Sequence, residues 1–169
     1  MGCDIHTHVE IRSDRWGRRQ TEWRCGDYFS VMDPLDPNAK FVVQELCGDR
    51  NYWLFAVLAD VRNDGSLDYI DEPRGLPDDV TEFVKNRDDD WGWDAHSCSY
   101  FTLRELIEYH NEHKPKNIYG HDILLPLIND LKLRADEFNI IYESWWDGDR
   151  YEDALAKAED IRFVFWFDN

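Results

Sequence analysis

The chain has 169 residues, a formal net charge of -17 and 15% aromatic residues, including eight Trp. That length suits one domain over residues 1–169 with a substantial core, and the aromatic content favours a folded chain over a disordered acidic tail. The charge argues against direct nucleic-acid or anionic-membrane binding, and no run of about 18 apolar residues is present to span a bilayer.

Residues 3–11 alternate. Cys3, Ile5, Thr7, Val9 and Ile11 fall on one face of a predicted strand, and Asp4, His6, His8 and Glu10 on the other. Ser13–Gly17 reads as a turn, and Thr21–Cys25 is expected to return antiparallel to the first strand. Asp33–Asn38 is a Pro/Asx loop, and Phe41–Val43 is a short apolar run of undecided type. Tyr52–Arg62 reads as a mostly buried helix ended by Asn63-Asp64-Gly65, with a strand as the alternative because the apolar run is continuous.

Residues 70–77 form a loop, with Pro77 placed to open a short helix through Lys85. Arg87–Asp94 reads as an acidic, aromatic loop leading to His96-Ser97-Cys98-Ser99, also placed in a loop. Thr102-Leu103-Arg104-Glu105 fits a capping box for a helix to about His113. A further helix is predicted over Asp122–Phe138 with Pro126 in its first turn, then a turn at Trp145–Asp149 and helix formers over Tyr151–Glu159. Ile161–Phe167 is apolar on both faces apart from Arg162, as an interior strand requires. The whole predicts an α+β domain: a twisted mixed or antiparallel sheet containing both termini, with helices packed on one side. The start shows no secretory signal, and Cys3, Cys25, Cys47 and Cys98 form no CxxC, so the expectation is a cytoplasmic protein with reduced thiols.

Two imidazoles between two carboxylates on one strand face are metal-ligand types, so Asp4, His6 and His8, with His96 from a second segment, are the candidate metal set. Zinc or manganese is the divalent metal that such donors suit. Arg50, Arg62 and Arg74 stand beside turn residues and are the candidate anion clamps, because arginine grips carboxylate or phosphate in a fork. Cys98 reads as a packed thiol, and His110 and His113 as residues favoured near a helix C-terminus. No Walker loop, GxGxxG, GxSxG or HExxH is present.

The opening Met1-Gly2-Cys3-Asp4-Ile5-His6 resembles that of a family of small bacteriophage and bacterial proteins with no established activity. The resemblance extends through Cys25-Gly26-Asp27-Tyr28-Phe29, Gly48-Asp49-Arg50-Asn51-Tyr52, Leu54–Asn63, Glu72-Pro73-Arg74-Gly75-Leu76-Pro77, His96-Ser97-Cys98-Ser99 and Val164–Asn169. It implies a phage or bacterial cytosolic setting, with His6 and His96 as regular motif members and His8 and Cys98 as variable ones. The functional expectation is a metal-assisted hydrolase, a phosphoesterase type, acting on a small phosphate-bearing ligand. Asp4, His6 and His96 would carry the catalysis and an arginine would border their common pocket. The alternatives are a non-catalytic binder that sequesters a nucleotide-like signal, and an acidic nucleic-acid mimic that occupies a basic host protein.

Overall fold

The computed structural model describes all residues except 1, 13, 16–17, 20–21, 34, 48–49, 144–155 and 169. In chain order the strands are β1 (Asp4–Ile11), β2 (Asp14–Arg15), β3 (Arg18–Arg19), β4 (Arg24–Cys25), β5 (Tyr28–Val31), β6 (Phe41–Gln44), β7 (His96–Thr102) and β8 (Ile161–Asp168). The helices are α1 (Tyr52–Ala59), α2 (Glu82–Trp91), α3 (Leu103–His113) and α4 (Leu125–Glu143).

The main sheet has the order β4-β1-β8-β7 and is antiparallel throughout, so strands from both ends of the chain pair at its centre. The β1–β8 ladder runs unbroken from Asp4 opposite Asp168 to Ile11 opposite Ile161. β2 pairs with β3, and β5 with β6, as separate two-stranded ladders. The undecided run at Phe41–Val43 is therefore a strand, paired with Tyr28–Val31.

Alternation decides which side each strand residue takes. Ile5, Val9, Ile11, Phe163, Phe165 and Phe167 face one layer, where they join Leu54, Phe55, Val57 and Leu58 of α1, Leu103 and Leu106 of α3, and Leu127, Ile128 and Leu131 of α4. The opposite face carries Val164 and Trp166, which pack with Val84 of α2. Helices thus cover both faces rather than one. β8, buried along nearly its whole length, is the interior strand its apolar run predicts.

α3 occupies the predicted span, with Thr102 accepting from the Glu105 N–H while the Glu105 carboxylate accepts from the Thr102 N–H. α4 starts just before Pro126 and runs past the predicted end to Glu143. α1 stops at Ala59, short of Arg62, because Asp60 turns left-handed at φ 58° and Arg62 again at φ 57°. The helix expected from Pro77 to Lys85 instead starts at Glu82, where the Thr81 side chain caps it, and continues through the supposed acidic loop to Trp91. His96-Ser97-Cys98-Ser99 belongs to β7 rather than a loop. The turn at 145–149 lies outside the described residues, as does most of the 151–159 segment.

Candidate functional site

The Asp4–Glu10 row forms as predicted, and each member has its own partner. Glu10 and Arg162 form a buried ion pair (Nε to Oε2 2.8 Å), extended by Arg162 Nη1 to Asp79 at 2.6 Å. His8, 1% exposed, places Nδ1 2.7 Å from Asp27 Oδ2, while Asp27 Oδ1 accepts from the Val9 N–H. His6 lies between two carboxylates: Nδ1 is 3.1 Å from Glu45 Oε1 and Nε2 is 3.3 Å from Asp168 Oδ2. Asp4 accepts both arms of Arg50, with Nη2 to Oδ2 at 2.8 Å. The guanidinium sits so close over Gly2 that a Cβ there would meet it at 2.3 Å. Sequence types alone made this row a ligand set; these contacts make it largely a row of ion pairs.

Burial alone would lower the His6 imidazole, but the hydrogen bonds and charges of Glu45 and Asp168 outweigh it and raise it above its ordinary 6.5. The Arg50 fork holds the Asp4 carboxyl below its usual range. A raised folded-state value means protonated His6 contributes stability fully below about pH 6.5, and that contribution is lost as pH rises through the folded value. Thermal melts of wild type and His6→Gln should therefore diverge most below pH 6.5 and converge at alkaline pH. A constant difference across pH 5–9 would reject the imidazolium lock.

The sheet register locates the remaining candidates. Asp4 faces Asp168 across the ladder, Ile5 faces Phe167, which in turn faces His96, and His6 faces Trp166. Asp4, His6 and His96 therefore lie within three successive rungs at one end of the sheet. They do not share one side. His96 stacks against Phe167 at 6.0 Å, whereas His6 lies beside Trp166 at 5.9 Å, and neighbouring residues of one strand point to opposite faces. A bulge sets this orientation. Three residue steps from His96 to Ser99 oppose two from Phe167 to Phe165, with Ser97 left-handed at φ 51°. The common pocket for His6 and His96 is thus replaced by two adjacent positions separated by the sheet.

The arginines divide. Arg50 closes this end of the sheet through Asp4, and Arg62 reaches the nearby Cys3 thiol. Arg74 does not border His6. It is held by Asp71 at 3.0 Å, Glu105 at 2.7 Å and the Tyr100 carbonyl at 3.3 Å, towards the opposite end of β7. Cys98 donates to Asp88 at 3.3 Å, and burial pushes its thiol up to about 12. All four cysteines are unpaired with one another. His110 is engaged by Asp122 at 2.7 Å, and His113 by the Tyr109 carbonyl, in keeping with structural roles.

Among the described residues, no group of three or more His, Cys, Asp or Glu side chains stands where it could hold a metal ion. The zinc or manganese expectation finds no assembled donor set there, because the ring nitrogens of His6 and Nδ1 of His8 already face carboxylates.

Arg87 is a further residue that the sequence reading did not single out. Val84, Arg87, Asp88 and Trp91 share a helical face. Val84 packs on Trp166, Asp88 accepts from Cys98, and Trp91 stacks on His6 at 4.1 Å, so this face points at the sheet and carries Arg87 with it. Arg87 Nε and Trp166 Nε1 are buried without a hydrogen-bond partner, as is His96 Nε2 near the same sheet end. An unsatisfied buried N–H costs about 1–3 kcal/mol, so such groups call for an explanation.

No family model, curated protein or solved structure matches the chain. Among the described residues, no helix is long and apolar enough to cross a membrane.

Proposed function

We propose that the chain binds a small phosphate-bearing, nucleotide-like ligand at the end of the sheet beneath α2, acting as a binder rather than a metal-assisted hydrolase. The observation that carries this reading is the pair of buried, unpartnered N–H groups, Arg87 Nε and Trp166 Nε1, on the layer that also holds His6. These groups donate and do not accept, and the ligand class best matched to them is rich in acceptor oxygens. Trp91, half-buried and stacked on His6 at 4.1 Å, is the aromatic placed to meet a base there. Arg50 stands at the same end of the sheet, paired with Asp4. Its side chain is 56% exposed and its partner Asp4 is 45% exposed, so their ion pair is weak enough for an incoming phosphate to compete with it. The net charge of -17 opposes anion approach at long range, so affinity must come from these short contacts.

Calorimetry with inorganic phosphate and a nucleotide panel tests the reading. Wild type should bind at least one nucleotide, and Arg87→Gln should weaken that binding by roughly 1.5–3 kcal/mol, the range for a charge-assisted bond. Arg74→Ala, at the far end of β7, should leave it unchanged. Failure of wild type to bind any member of the panel would remove the proposal. Cleavage of the bound nucleotide on addition of zinc or manganese would restore the hydrolase instead.

A further inference from the structure

The β5–β6 hairpin is a second feature, distinct from the sheet end. Each of its strands pairs only with the other among the described residues, leaving an outer edge on both. Its side chains are not those of an ordinary solvated ladder. Phe29 is 45% exposed and Phe41 71% within the strands, and Met32 is 78% and Leu35 93% exposed in the connection between them. An exposed apolar edge, even one of four residues as on each of these strands, can take another chain, and proteins usually blunt such edges with charge, proline or a covering element.

The hairpin is held in place despite this exposure. Tyr28 lies under the Arg134 guanidinium at 3.4 Å, and Phe29 meets Phe83 of α2 edge-on at 5.7 Å. Glu45, directly after β6, is tied to His6. Its apolar surface is therefore presented by an anchored element rather than a loose loop.

Charge decides which occupant fits. Two copies each carrying -17 repel one another, which opposes hairpin-to-hairpin pairing. The same charge attracts a basic chain. Within the connection between the strands, Asp33 and Asp36 are exposed, and their carboxylates accept from the backbone N–H groups of Leu35 and Asn38. Glu82, Asp89 and Asp90 are exposed on α2, the helix that Phe29 touches.

We infer that the β5–β6 hairpin is a docking site for a partner protein's extended basic segment, which adds as a strand to one free edge. Main-chain hydrogen bonds supply the pairing. Apolar side chains of the segment lie over Phe29 and Phe41, which share one face of the ladder, with Met32 at its turn end, and its Lys or Arg side chains meet Asp33 and Asp36.

The test uses the full chain and two synthetic twelve-residue peptides of equal charge. One alternates Arg or Lys with Ile or Phe, and the other replaces the apolar residues by Ser. The apolar–basic peptide should bind, slow amide exchange within residues 28–31 or 41–44, and weaken as salt rises. A Met32→Ser/Phe41→Ser variant, altered only at exposed positions, should lose about tenfold in affinity while its melting temperature stays unchanged. Four results would overturn the inference: no binding, equal binding of the Ser peptide, protection confined to other residues, or a peptide-free dimer with a protected hairpin. The last would assign the surface to a second copy.

Discussion

Arg162→Ala should be among the most damaging single substitutions in the chain, costing about 3–5 kcal/mol in urea unfolding, because it leaves a buried carboxylate without its cation. Arg162 is 3% exposed and Glu10 0%. Both Nε and Nη2 of the arginine reach Glu10 Oε2, Nη1 reaches Asp79, and the guanidinium lies 4.1 Å from the Trp23 ring centre. Glu10 Oε1 meanwhile accepts from the Thr81 N–H at 2.7 Å, so this ion pair also fixes the residue that caps α2. Loss of the arginine therefore loosens α2 as well as exposing an unpaired charge. Replacing both partners, as Glu10→Leu/Arg162→Met, removes the charges together and should recover much of the loss. A double variant as unstable as the single would show that the damage comes from packing and not from the stranded charge. An Arg162→Ala cost below about 1 kcal/mol would show that water reaches Glu10.

The same pair shows how far the sequence could be read. The two-residue period of Cys3–Ile11 identified β1, its core face and its polar face, because a strand has no other way to sort alternating side chains. The capping box at Thr102 and Glu105 and the continuous apolar run at Ile161–Phe167 were equally local signals, and α3 and β8 follow them. Partners were not legible. Asp27, Glu45, Asp168 and Arg162 come from distant segments, and only the folded register shows that they meet His8, His6 and Glu10.

The continuation of α2 beyond Lys85 was not legible for a physical reason. Asp88, Asp89 and Asp90 sit near the helix C-terminus, where the macrodipole disfavours acids, so the stretch reads locally as a loop. Packing of Val84 and Trp91 against the sheet overrides that preference. Arg87 disappeared with the helix, although the Val84–Arg87–Asp88–Trp91 spacing was available to find it. His96 was misplaced because the bulge at Ser97 interrupts the alternation that marks a strand.

Phe165→Ala should cost about 3–5 kcal/mol, the range for removing a buried aromatic side chain. Phe165 is 0% exposed and occupies the middle of β8, opposite Thr7 on β1 and Ser99 on β7. Its ring lies 5.9 Å from Phe101, 5.3 Å from Phe163 and 5.7 Å from Phe167, centre to centre. Thr7 and Ser99, the residues directly opposite, are too small to fill the space left by the ring. Phe165→Leu keeps most of the apolar volume and should cost less than Phe165→Ala. Urea unfolding of both variants checks the order, and amide exchange shows where the loss is felt. Protection should fall in β1, β7 and β8 together, because β8 joins the strands on either side of it. Loss confined to β7, with β1 still protected, would mean that the two halves of the sheet open separately and that Phe165 does not couple them.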